Sequence, residues 1–356
     1  MLDPHTLRIY PPTSKAPIAK SCELLRDTQA TEVAMKIGFY DDFRPCIVKD
    51  DGVVDITEQV KDLDEGVPQL LMQKIITGFD GLRSSLQKQE ASGTVIPADK
   101  VRMRAPLPRP GKVLCGEGNY MEGVPIAPPR PLRTFFKSPD AVIGPGDTVV
   151  FPTFRPVIFN HEAELGVVIG KEAKQVSEAD ALSYVFGYTT AVDVSARAPV
   201  EDEAEVPGTP PHHYDKSFDT FLPIGPAITT ADEISDPNNL NVKYWVNKEL
   251  RQDYNTSDME HSIAYMIATL SNVMTLMPGD LLLAGTNHGN LGPLQDGDFG
   301  EIEIEKVGRN GQPVQDSLKR TWDPHALRKP SEMAERREGL KGTPNAGTWP
   351  FQPKGG

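Results

Sequence analysis

The stretch VIFNHEAELGVVIG, residues 157–170, constrains the fold more than any other: it is an apolar strand with two carboxylates on one side. In a strand, residues i and i+2 share a face, so Glu162 and Glu164 point the same way. Ala163, Leu165, Val167 and Ile169 take the opposite parity, and the density of Val and Ile predicts a buried or half-buried strand. Two like charges side by side there are costly unless a cation compensates them. A third acid, Asp193 in GYTTAVDVSAR, follows 29 residues after Glu164, in another short apolar strand beyond a helix predicted near Ser177. Two carboxylates on one strand and a third on its neighbour can converge on a hard divalent cation. Mg²⁺ leads, because it takes few protein carboxylates and leaves positions for water and substrate, while Mn²⁺ and Ca²⁺ accept the same oxygen donors. The spacing alone equally allows two surface glutamates and an unrelated turn aspartate.

The 356 residues suffice for one large domain or two modest ones. A formal net charge of −13 lacks the basic footprint of a nucleic-acid or anionic-membrane partner. No run of about 18 apolar residues is present to span a membrane. Cys22, Cys46 and Cys115 are odd in number and scattered, which fits reduced thiols better than a disulfide framework. MLDPHTLRIYPPTSK contains no apolar signal segment, so the cytoplasm is the expected compartment.

Along the chain, residues 1–33 read as an extension and 34–110 as a small β-rich module ending in the proline-rich linker RAPLPRPGK. Within that module Asp51-Gly52 signals a hairpin, and Leu71, Ile75, Phe79 and Leu82 predict a helix after Pro68 despite Gly78 and Gly81. Residues 111–310 form the expected catalytic domain, and 311–356 a polar tail able to wrap a neighbour. In SDMEHSIAYMIATLSNVMTLMPGD, Ser257 and Glu260 have capping-box spacing, and Pro278-Gly279 stops the helix. Lys248 in VNKEL is less comfortable with φ > 0 than glycine, which predicts a hairpin type different from that of an Asn-Gly turn.

HEAELGVVIGK, GYTTAVDVSAR, KSFDTFLPIGPAI and PGDLLLAGTNHGNLGPLQDGD occur in the order found in the fumarylacetoacetate hydrolase family, which the chain resembles over residues 113 to about 308. The resemblance implies an α+β fold on a mixed β-sandwich or β-roll core, and a homodimer. It implies Glu162, Glu164 and Asp193 as metal ligands, with Arg197, Lys216 and Thr286 facing a small anionic oxo-acid substrate. Such a site can chelate a 2-oxo acid and stabilise an enolate. The implied activity is hydrolytic cleavage of a C–C bond in a 2,4-dioxo acid of the acylpyruvate or fumarylacetoacetate type. An isomerase, decarboxylase or hydratase on a related oxo-acid is the alternative, and a catalytically silent binding protein a further one.

One departure concerns the base. Many relatives follow an Asn-Tyr motif with a lid whose histidine and glutamate activate water. Here GEGNYMEGVPIAPPRP keeps Asn119-Tyr120 but places Gly123 and Ile126 at those two positions, among prolines that disfavour a helical lid. Glu122 is the nearest titratable substitute, and His288, in a glycine-rich loop, is the other candidate for acid–base work. His161 reads as a packed group beside the metal strand, and His212 and His213 as loop residues. The polar residue expected three after the arginine is Val200. Lys137, Asp140 and Gln252 read as rim residues.

Overall fold

The computed structural model describes residues 35–124, 128–153, 158–197 and 214–327. The predicted extension 1–33, the chain beyond 327, and Ile126, Val200, His212 and His213 lie outside the described residues. The architecture is α+β: a twelve-stranded sheet, a five-stranded sheet, a two-stranded ribbon and few helices. Ten strands of the larger sheet run in the order Val95–Pro97, Gly52–Asp55, Arg44–Lys49, Lys36–Tyr40, Leu222–Thr230, Val185–Val192, Ala163–Ile169, Leu281–Leu283, Val113–Glu117 and Arg133–Lys137. Along this path only Leu281–Leu283 and Val113–Glu117 pair in parallel, which makes the sheet mixed.

The β-rich N-terminal strands enter this sheet directly, Lys36 and Ile37 pairing with Thr229 and Ile228. Ile37, Phe39 and Phe79 therefore share one apolar cluster with Val167 and Leu282. The helix predicted after Pro68 spans Pro68–Ser92 and buries Leu71, Met72, Ile75, Ile76, Phe79 and Leu86. Phe79 meets Phe186 edge-on at 5.1 Å. Gly78 and Gly81 do not interrupt this helix, because its stability comes from the buried face rather than from propensity.

The second sheet, ordered Glu249–Asn255, Asn241–Val246, Phe299–Ile304, Gly308–Gln315 and Val149–Val150, packs on the first through buried Val242, Tyr244, Ile302 and Ile304. The Thr229 hydroxyl donates to Val307 O across the layers at 2.9 Å.

Several local expectations are corrected. The capping-box helix spans Ile263–Val273 and is capped by Ser262, whose hydroxyl accepts the Tyr265 N–H at 3.1 Å. Ser257 instead lies in the 3-10 turn Thr256–Asp258, and Glu260 is taken by the Arg130 guanidinium, with Nε donating to Oε2 at 2.7 Å. A part-buried ion pair takes the glutamate that the local cap would use. Near Ser177 there is only the 3-10 turn Ala181–Tyr184. Lys248 does adopt φ +72 beside Asn247 at φ +52, so the hairpin between Val246 and Glu249 keeps primed geometry. Asn247 offsets the strain by donating to Asp298 at 2.8 Å and accepting the Phe299 N–H at 2.9 Å. Residues 311–315 are not tail but the end of strand Gly308–Gln315. Its weakly apolar sequence is held by the ladder with Phe299–Ile304 and by Gln312, which donates to the Tyr244 hydroxyl at 2.8 Å.

The signalled hairpin joins Arg44–Lys49 to Gly52–Asp55 and turns at Asp50 and Asp51. Gly52 is required for a packing reason, since a Cβ there would lie 2.0 Å from Ile96 O. Gly52→Ala should therefore cost about 1–3 kcal/mol through overpacking, read as a lowered urea midpoint with unchanged slope; an unaltered midpoint would show that the strands separate freely.

Candidate functional site

Glu164 lies in strand Ala163–Ile169 opposite Ala191, and Asp193 follows directly on the neighbouring strand Val185–Val192. The predicted strand is interrupted at His161 and Glu162, because the preceding Ile158–Asn160 pairs instead with Ser195–Arg197. The Asp193 N–H nevertheless donates to Glu162 O at 2.8 Å, which continues the ladder to the second glutamate. One carboxylate oxygen each from Glu162, Glu164 and Asp193 lies within 4.8 Å of the others, and all three residues are at most 2% exposed. At an effective dielectric of about 20, each like-charged pair so close repels by roughly 3 kcal/mol or more.

Two lysines oppose that repulsion. Lys216 Nζ donates to Glu162 Oε2 at 2.5 Å and to Asp193 Oδ2 at 2.7 Å. Lys137, fully buried on strand Arg133–Lys137, donates to the other oxygen of Asp193 at 2.5 Å and to Val194 O at 3.2 Å. Lys216 also stands 5.0 Å from the centre of the Phe135 ring. Among the described residues no lysine bonds Glu164, which instead receives the Gly285 N–H at 2.7 Å. Burial first, and then the Asp193 carboxylate, push its carboxyl well above the ordinary range, against the pull of Lys216. Three buried, all-oxygen anionic donors suit a hard divalent ion. The donor set fits the metal.

Behind the triad, Gln252 ties the layers together. Its Oε1 accepts His161 Nδ1–H at 2.9 Å and the Ala163 N–H at 3.2 Å. Its Nε2 donates to Thr286 Oγ1 at 2.9 Å and to Asn287 O at 2.7 Å. His161 is fully buried, stacks on Tyr244 at 4.3 Å, and is lowered to about 4 chiefly by burial, which keeps the ring neutral beside the metal strand.

The two separate acid–base candidates prove to be partners. His288 Nδ1 lies 2.6 Å from Glu122 Oε1, and the same oxygen accepts the His288 backbone N–H at 3.2 Å. The Glu122 side chain is 2% exposed and that of His288 15%. His288 belongs to the loop that also presents Gly285 to Glu164 and Thr286 to Gln252. The backbone of Arg197 pairs with Ile158, and its side chain lies outside the described residues. Asp140 is a surface residue bonded to Arg109 at 2.7 Å. Lys137 and Gln252 are not rim residues but buried parts of the centre. A signal for Lys137 was present: in RTFFK it shares parity with buried Phe135, whereas Phe136 is exposed.

A family model described as Fumarylacetoacetate (FAA) hydrolase C-terminal matches residues 114–315. The chain belongs to the fumarylacetoacetate hydrolase family. It is 35% identical over 266 residues to rat Oxaloacetate tautomerase Fahd2a, mitochondrial, covering 72% of this chain and 82% of that protein. The structure of maleylpyruvate hydrolase from Sphingobium sp. SYK-6 with manganese (II) ion and pyruvate is 35% identical, with a TM-score of 0.70, covering 79% of this chain and 99% of that one. A 2-hydroxyhepta-2,4-diene-1,7-dioate isomerase from Mycobacterium marinum is also 35% identical, with a TM-score of 0.54, covering 64% and 82%. Family members thus include hydrolases, isomerases and tautomerases, all enzymes of small oxo-acid chemistry.

Because the Glu164 carboxyl is raised above its ordinary value of 4.5, it favours the fold only while protonated. The metal-free protein should lose stability as pH climbs from the ordinary carboxylate range through the raised value. Glu164→Gln removes that loss, and should stabilise the chelated protein at neutral pH by on the order of 1–3 kcal/mol while weakening Mn²⁺ binding more than about tenfold. Thermal unfolding in chelator and titration calorimetry check both halves; a destabilised variant that still binds Mn²⁺ would contradict this account.

Proposed function

We propose that the chain is a divalent-metal-dependent hydrolase that cleaves a C–C bond in a small 2,4-dioxo acid, with Glu122 and His288 replacing the lid pair of its relatives. The observation that carries this reading is the part-buried 2.6 Å contact between Glu122 Oε1 and His288 Nδ1, with His288 on the loop that serves the carboxylate triad. A carboxylate accepting from Nδ1–H fixes the neutral tautomer whose Nε2 is free to take a proton, and stabilises the imidazolium that results. His288 is the base toward water and returns the proton to the departing carbon, while Glu122 orients it. Thr286 and Lys216 hold the anionic groups of the substrate, with Arg197 as a third contact. Glu162, Glu164 and Asp193 hold Mg²⁺ or Mn²⁺, which when bound supplies Lewis-acid polarisation of the 2-oxo group.

A second reading is tautomerisation or isomerisation of a related oxo-acid, favoured by the names of the relatives and by a base that can move one proton without water. Incubation with acylpyruvates, maleylpyruvate and oxaloacetate with mass detection separates them: fragmentation with gain of water supports hydrolysis, unchanged mass the second reading. Under either reading, His288→Ala and Glu122→Gln should each lower kcat by about 10²–10⁴-fold with little change in Mn²⁺ affinity. Full activity in both variants would remove the pair from the chemistry.

The buried free thiols of Cys46 and Cys115 fit a reducing compartment, either the cytoplasm or the mitochondrion named for the rat relative. We also propose a homodimer, supported by the edge strand Arg133–Lys137, which leaves Phe136 56% exposed beside Tyr214, itself 64% exposed. Light scattering at micromolar concentration should give twice the chain mass of 39.0 kDa, and a clean monomer would overturn this assignment.

A further inference from the structure

The Glu122–His288 pair is held by a carboxylate that no sequence motif singles out. Asp258 ends the turn Thr256–Asp258, which Asn255 caps by accepting the Ser257 N–H at 2.9 Å. Asp258 Oδ2 accepts the Glu122 N–H at 2.9 Å and the Asn287 side-chain amide at 2.9 Å, while Oδ1 accepts the Gly123 N–H at 3.3 Å. The Asp258 carbonyl accepts the Met121 N–H at 2.9 Å. One residue therefore grips the backbone of Glu122 and the residue next to His288. Glu122 sits at φ +57 and Gly123 at φ +78. For Glu122, a non-glycine residue, this left-handed conformation is disfavoured and needs outside support. Successive N–H groups turned to one side form a small anion cradle, and the Asp258 carboxylate fills it. Asn287 has other holds, its carbonyl accepting from Gln252 at 2.7 Å and its Oδ1 accepting the Gly289 N–H at 2.9 Å. Loss of Asp258 would thus fall mainly on Glu122.

We propose that Asp258 is a positioning residue for the Glu122–His288 pair: it fixes the strained backbone of Glu122 against the loop bearing His288, so that the carboxylate meets the imidazole without rearrangement. This inference rests on reading the pair as the acid–base machinery. Its first test needs no substrate. In histidine-labelled full-length protein, the His288 ring resonances are those lost in His288→Ala. In Asp258→Ala they should shift in the same direction as in Glu122→Gln, while those of His161 stay in place. Asp258→Asn, which keeps one acceptor oxygen, should shift them less. Unmoved His288 resonances in both folded Asp258 variants overturn the proposal. With acetylpyruvate and oxaloacetate as probes, Asp258→Ala should lower kcat about 10–100-fold with KM and Mn²⁺ affinity within about twofold, and should add nothing to Glu122→Gln. A loss that multiplies with that of Glu122→Gln, or that appears only in KM, counts against positioning. If Glu122→Gln and His288→Ala leave kcat intact, the acid–base reading itself fails, and the resonance shifts still decide whether Asp258 holds the pair.

Discussion

Three carboxylates buried within 4.8 Å of one another are the constraint around which this molecule is organised. Alone they would be unsustainable in a region at most 2% exposed. Against them stand the ammonium groups of Lys137 and Lys216, both bonded to Asp193 and one also to Glu162. With Glu164 held protonated, the metal-free centre sets two carboxylates against two lysines, and a dication that displaced that proton would leave the centre positive by one. A site of that sign attracts a small anion, whereas the protein as a whole, at −13, does not. Local compensation thus reverses a global repulsion.

The larger sheet makes this possible by bringing remote segments into register. Strand Leu281–Leu283 pairs with Ala163–Ile169 on one side and Val113–Glu117 on the other, so the loop after it emerges between the metal strand and the Asn-Tyr segment. Gly285 takes φ +88 there, and a Cβ would come within 3.1 Å of Asn119 Cβ, so a side chain would push the loop away from Glu164. Asn119 in turn donates to Ala284 O at 3.0 Å and accepts the His261 N–H at 3.0 Å. Its role is architectural: it ties the Asn-Tyr segment to His261 and to the loop that carries Thr286 and His288.

What the sequence disclosed was whatever depends on periodicity and motif. The i, i+2 parity of Glu162 and Glu164 gave the shared face, and the apolar spacing after Pro68 gave the long helix. What it concealed depends on contacts between distant segments. Ser257 and Glu260 have faultless capping-box spacing, yet Glu260 serves Arg130, 130 positions away in sequence. For Lys137, strand parity with Phe135 discloses the burial, but its partner Asp193, 56 positions away, is visible only in three dimensions. The pairing of Glu122 with His288 spans 166 positions, and two residues treated as rival bases become one unit only in three dimensions.

That unit is assembled in advance. Asp258 holds one end of the segment after the Asn-Tyr motif, at Glu122, and Glu260, two residues farther, holds the other end at Arg130. Arg130 also donates to Gly118 O at 2.6 Å, while its own carbonyl lies 2.7 Å from His261 Nε2. Pro128, Pro129 and Pro131 pre-set φ along the return path and remove competing N–H donors. A lid that brings a base to the substrate spends binding energy on closure, whereas in the proposed role the preassembled Glu122–His288 pair leaves that energy for the reacting groups. The departure at Gly123 goes with a glutamate–histidine pair joined across two segments, Glu122 beside the Asn-Tyr motif and His288 on the loop after Leu281–Leu283.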